Sequence, residues 1–160
     1  MMKRMRWNVL LIGALLMLGG LLLTLSGCGR AEALDTLYEG EGPTVITYTE
    51  ANEMLEAGKT FFFYEGDSFD IAGESKVSEM MDRVFKEKEV HYFVIDKEEN
   101  PYNDQIYALF HSKYSEIGLV HDGEIYRGKQ TLVAEGGKTR EDIERDVDKD
   151  VQELLSLVDQ

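Results

Sequence analysis

The chain offers one thiol, Cys28, and three imidazoles, His91, His111 and His121. Its carboxylates gather at short spacing twice: Glu65, Asp67, Asp70 and Glu74, and Asp146, Asp148 and Asp150. A hydroxyl, Ser68, lies within the first group, in Gly66-Asp67-Ser68-Phe69. A thiolate can attack a disulfide or carry an acyl group. A serine hydroxyl can attack an ester once a histidine takes its proton. Alternating aspartates can open a calcium loop if glycine stands at the sixth place and glutamate at the twelfth. Counted from Asp146, those places hold Val151 and Leu157, so this group reads as the solvated acidic face of a helix. The three histidines fall in a strand, a helix and a turn with no ligand spacing, and they read as structural or exposed. Glu65, Asp67, Asp70 and Glu74 crowd a turn that could hold a cation loosely, but their spacing demands none. No metal and no cofactor is expected.

Those groups must be positioned by the elements around them. Phe61 to Tyr64 is continuously apolar, the pattern of a strand covered on both faces. A polar turn follows. Val77, Met80, Met81, Val84 and Phe85 then recur at helical spacing, with the methionines as core filler. Val45-Ile46-Thr47 is a short β-type run. Thr49 is the expected cap of a helix through Ala57, with Gly58 as its stop. Val90 to Ile95 reads as a second buried strand, and a helix begins at about Asn103. Ile117 to Val120 and Glu124 to Arg127 form a hairpin about Asp122-Gly123. A brief β segment is expected at Thr131 to Ala134. Thr139 and Asp142 form a capping box for a long last helix, whose apolar face runs from Ile143 to Val158. Glu141 and Arg145 pair along it at i,i+4. Tyr92, Tyr102, Tyr107, Tyr114 and Tyr126 fit half-buried positions that could include a partner surface.

The amino terminus has a different composition. Lys3, Arg4 and Arg6 precede an uncharged, leucine-rich run from Val9 to Leu25, followed by Leu25-Ser26-Gly27-Cys28. This layout is that of a secretory signal, and L-S-G-C resembles the bacterial lipobox. The resemblance implies cleavage before Cys28, a diacylglycerol on its thiol, and palmitate in the mature lipoprotein. Leu25, Ser26 and Gly27 would fit the peptidase. The alternative is an uncleaved anchor, its 17-residue run at the lower edge of the roughly 17–25 residues that span a bilayer. Either way the remainder lies outside the cytoplasm, tethered to the cell membrane. The expected division is a signal over 1–27, a flexible tether over 28–44 and a folded domain over 45–160.

The 160 residues carry 17 Lys+Arg and 31 Asp+Glu, a net charge of −14. Removing the signal leaves 133 residues and takes away three positive charges and no acid, so 14 basic residues face 31 acidic ones at −17. That charge argues against nucleic acid and against adsorption to anionic lipid. A single cysteine excludes an intramolecular disulfide, although the compartment would permit one.

The element order β-α-β-α-β-α-β-β-α resembles the thioredoxin fold over roughly Val45 to Val158. F-F-F-Y before the turn, Y-F-V-I-D as the second central strand and I-G-L-V-H-D-G-E-I-Y as the closing hairpin carry the resemblance. The chain is most similar to thioredoxin-like proteins described as bacteriocin-transport accessory proteins, which share the opening helix and the F-x-x-Y-x-G strand end. The expected class is α/β, with a central mixed sheet flanked by helices and a C-terminal helix. The family's C-x-x-C would fall on Asp70 to Gly73, or on Ser68 to Ile71, and its cis-proline near Ser115, before Glu116. None of these positions carries the family residue. Thiol–disulfide exchange needs an attacking thiolate, so the resemblance implies a redox-inactive domain.

The favoured reading is therefore a lipid-anchored, non-enzymatic module. It would bind an unidentified protein or peptide through a vestigial turn comprising Asp67, Ser68, Asp70, Gly73, Ser115 and Glu116. Two alternatives remain. G-D-S-F resembles the nucleophile block of GDS-type esterases, with Ser68 as nucleophile, although no histidine stands in the late D-x-x-H block such enzymes carry. The domain could instead be the non-catalytic partner of a separate thiol–disulfide oxidoreductase.

Overall fold

A computed structural model describes residues 37–38, 42–98, 104–112, 116–130, 132 and 138–159. The tyrosines at 102 and 114, the cysteine at 28, Ser115 and most of the expected β segment at 131–134 lie outside the described residues.

Strand β2 (Phe61–Gly66) is buried along its whole length. It lies between β3 (Tyr92–Asp96), which runs parallel to it, and β4 (Ile117–His121), which runs antiparallel. The edges are β1 (Thr44–Ile46), parallel to β3, and β5 (Glu124–Arg127), antiparallel to β4. The sheet order is β1-β3-β2-β4-β5. Asp122 and Gly123 both take positive φ, 51° and 78°. That is the turn a two-residue hairpin requires, and aspartate followed by glycine supplies it. This is an α/β arrangement, a mixed sheet flanked by helices and closed by a C-terminal helix, compatible with the thioredoxin-like fold.

Helices α1 (Tyr48–Glu56) and α4 (Asp104–Phe110) cover one face, where Phe61, Phe63, Phe93 and Ile95 pack with Tyr48, Ala51 and Phe110. Helices α3 (Lys76–Glu87) and α5 (Arg140–Val158) cover the other, over Phe62, Tyr64, Tyr92 and Val94. The period of two along β2 makes this division, and a continuous apolar run follows because both faces are roofed. The Met80 and Met81 side chains are fully buried, as a core filler's would be. A short helix, α2 (Ser68–Ile71), forms where only a polar turn was expected.

Other expectations change. Helix α1 is capped by Thr47 rather than Thr49. Thr47 Oγ1 accepts from Glu50 N at 3.1 Å, while Thr47 N donates to Glu50 Oε2 at 2.7 Å. Burial of Tyr48 draws the helix start two residues earlier. Thr139 and Asp142 do form the expected box. Arg145, however, reaches Asp142 at 3.0 Å and Asp146 at 3.6 Å, and no ion pair joins it to Glu141.

The aspartates of α5 do not form a solvated face. Asp150 is fully buried and accepts from Lys129 N at 3.0 Å and Gln130 N at 3.1 Å. It holds the chain leaving β5 against the helix. A Cβ on Gly128 would lie 2.3 Å from Asp150 Oδ2, so that approach needs glycine. Asp146 is also buried and accepts from Lys138 Nζ at 2.8 Å. Burial pushes the Asp150 carboxyl up, and the two backbone donors partly oppose that.

The presumed tether is not free along its whole length. Leu37 is fully buried in the core beneath α3 and α5, and its carbonyl accepts from His91 N at 2.6 Å. The folded unit therefore begins upstream of Val45.

Candidate binding site at the end of β2

The site is built where β2 ends. Gly66 lets the chain fold back: a Cβ there would sit 2.7 Å from Val94 Cγ1 and 2.9 Å from Asp70 Cβ. Asp67 then caps α2, accepting from Phe69 N at 3.0 Å and Asp70 N at 3.2 Å. Asp70 returns the bond, its Oδ2 accepting from Asp67 N at 3.2 Å. Its Oδ1 accepts from the Ser75 hydroxyl. Gly73, at φ +70°, ends the turn of helix. Ser75 caps α3 by accepting from Ser78 N at 3.0 Å. Two carboxylates and one hydroxyl thus satisfy the turn's own backbone donors.

The outer surface of this turn carries Ser68, Glu74 and Phe69, all exposed. Phe69 is 64% exposed, the largest exposure among the large apolar side chains of the described residues. The spacing of polar residues points to the turn's acids, whereas the large apolar side chain that the turn leaves outside is Phe69. A phenylalanine inside a Gly/Asp/Ser turn was the available signal.

Glu65 does not belong to that acidic surface. The strand period sends it to the opposite face, beside Phe61 and Phe63, where it is 4% exposed. It accepts from the Tyr48 hydroxyl, from Ser112 N at 2.8 Å, and lies 3.3 Å from His111 Nδ1. The Tyr107 ring stacks on His111 at 4.3 Å, and Tyr48 meets Tyr107 at 5.4 Å. Burial, then the bond to Glu65, push the Tyr48 hydroxyl well above its ordinary range. This cluster ties α1 and α4 to the end of β2. Glu116 joins the same end, accepting from the Ser112 hydroxyl at 2.9 Å. Arg127 clasps α4 from the other side, donating to Phe110 O at 2.6 Å and Leu109 O at 3.1 Å.

Asp67, Ser68, Asp70 and Gly73 therefore sit together, whereas Glu116 joins the Glu65 cluster through Ser112 rather than the turn. The histidines do not converge on Ser68. His111 is held to Glu65, His91 to Thr44 Oγ1 at 3.1 Å, and His121 to Thr60 Oγ1 at 3.2 Å. His91 precedes β3 and His121 ends β4, both at the far end of β2. Among the described residues, no group of three His, Cys, Asp or Glu side chains is arranged to hold a metal ion. No described helix is long and apolar enough to cross a membrane.

No protein-family model matches the chain, and no curated protein matches its sequence. The functional reading therefore rests on the residues themselves. At the end of β2 they provide a rigid, acidic turn with an apolar tip and no thiol. Among the described residues, none of the three histidines is held beside the Ser68 hydroxyl.

Proposed function

We propose that the protein is a lipid-anchored extracytoplasmic lipoprotein whose thioredoxin-like domain is redox-inactive and binds a protein or peptide through the Asp67–Gly73 turn. The observation that carries this reading is Phe69. A folded turn whose polar groups are internally satisfied nevertheless leaves a phenylalanine 64% exposed. Aromatic side chains at that exposure are enriched in contact surfaces. The absence of any cysteine beyond Cys28 removes the thiol–disulfide alternative for the isolated chain. The lipid anchor is supported by the order of basic start, apolar run and L-S-G-C.

Photo-crosslinking from position 69 in intact membranes tests the binding surface. A discrete adduct, competed away by the unlabelled wild-type protein but not by unlabelled Phe69→Ala, is the expected result. No adduct from position 69 alongside adducts from Leu109 on α4 would move the surface elsewhere. Insulin reduction by the purified protein without added thiol proteins would overturn the redox-inactive reading. Lipid labelling that survives Cys28→Ala would overturn the anchor.

A further inference from the structure

The buried Leu37 bears on how the domain is held. We infer that Leu37 fixes the point at which the anchored chain joins the domain, at the end of the sheet opposite the Asp67–Gly73 turn, so that the turn faces away from the bilayer. This rests on the lipid anchor at Cys28.

The geometry comes from the parallel strands. Leu37 O accepts from His91 N, immediately before β3. At the other end of β3, Asp96 pairs with Gly66, where the turn begins. Five strand residues separate the two ends, about 17 Å. The Leu37 side chain is fully buried, so its burial and its backbone bond together hold the junction. The next residue, Tyr38, is 58% exposed. Its aromatic ring and hydroxyl suit a water–lipid interface.

The nine residues from Cys28 to Leu37 reach at most about 30 Å when extended. Had the whole stretch to Thr44 been free, the reach would have been about 55 Å. The shorter link keeps the Leu37 end close to the lipid. A net charge of −17 on the mature chain opposes lying face-down on an anionic surface.

The test uses the full-length lipidated protein in phosphatidylcholine/phosphatidylglycerol vesicles containing a headgroup quencher. The acyl chain blocks Cys28, so a fluorophore can be placed through Lys59→Cys, beside the start of β2, or Ser68→Cys, beyond its end. The six residues of β2 separate these labels by about 20 Å. The label at position 59 should be quenched about threefold more than that at position 68. In Leu37→Ala, with its circular dichroism preserved, the ratio should fall towards one. Equal quenching, or stronger quenching at position 68, in protein that co-floats with vesicles overturns this inference alone. A ratio unchanged in folded Leu37→Ala removes Leu37 from it. Protein that neither co-floats nor incorporates lipid overturns the anchor, and the orientation with it.

Discussion

Replacing Glu65 should unfasten two helices from the end of β2. The carboxylate accepts from the Tyr48 hydroxyl and from Ser112 N, and faces His111. Glu65→Ala leaves the hydroxyl and the amide without their acceptor in a site only 4% exposed. Hydrogen bonds to a charged group contribute about 1.5–3 kcal/mol net each, and a stranded buried donor costs about 1–3 kcal/mol. The His111 contact is longer, at 3.3 Å, and that side chain is 37% exposed, so it is discounted. Two full bonds then place the loss at about 3–5 kcal/mol. Glu65→Gln keeps one accepting oxygen and should lose about 1–2 kcal/mol. The sole tryptophan, Trp7, lies outside the described residues, so urea unfolding is best followed by far-UV circular dichroism. With a urea slope of about 1–3 kcal/mol/M, the Glu65→Ala midpoint should fall by roughly 2 M. A cycle with Tyr48→Phe should return a coupling energy above about 1 kcal/mol. A Glu65→Ala loss below 1 kcal/mol, or a coupling near zero, would refute the claim that this carboxylate clamps α1 and α4.

Two further outcomes follow from the same packing. Gly118 sits opposite Phe63, and an added Cβ would lie 2.1 Å from Phe63 Cζ. Phe63 is fully buried and meets Phe110 edge-on at 5.3 Å, so Gly118→Ala should cost about 1–3 kcal/mol by urea unfolding, relieved in part by Phe63→Leu. His91 is 5% exposed and burial pushes its imidazole below the usual range. The unfolded chain then binds more protons below about pH 6.5, so stability present above that pH is lost as pH falls towards the lowered folded value. His91→Asn should flatten the stability profile between pH 7 and pH 5, and an unchanged slope would exclude His91 as its source.

The parts of this fold legible in the sequence are those set by neighbouring residues. The Asp122-Gly123 hairpin and the Thr139–Asp142 box each satisfy backbone groups within four residues, so their chemistry can be read locally. The α3 stripe is equally local, because helical spacing alone decides which face is apolar. Glu65 is different. Its partners lie 17 and 46–47 residues away, and only the packing of α1 and α4 brings them together. The strand period could have shown that Glu65 leaves the turn, but not what it meets. Asp150 was misread for a related reason. Its position among acids on a charged helix suggests solvent, whereas the chain leaving β5 returns two amides to it. Leu37 escaped because one apolar residue among small and acidic ones carries no period.

These contacts also decide what restoring cysteines would do. If the turn were a redox site lacking only its thiols, Asp70→Cys with Gly73→Cys should rebuild it. The structure argues otherwise. Asp70 accepts from Asp67 N and from the Ser75 hydroxyl, so its loss opens the joint between α2 and α3. Gly73 stands at φ +70°, where a residue with a Cβ costs about 1–2 kcal/mol. The double variant should therefore lose about 2–4 kcal/mol of stability and leave insulin reduction at background. Ser68→Cys with Ile71→Cys keeps both Asp70 and Gly73, removes only an exposed hydroxyl and a partly buried isoleucine, and should fold better. Of the two pairs it is the one that presents a thiol at the first residue of α2, with Asp70 still returning its bond to Asp67 N. Insulin reduction by the Asp70/Gly73 pair matching or exceeding that of the Ser68/Ile71 pair would mean that the carboxylate network does not shape the turn. The surface would then be a redox site stripped of its thiols rather than one rebuilt around Asp67 and Asp70.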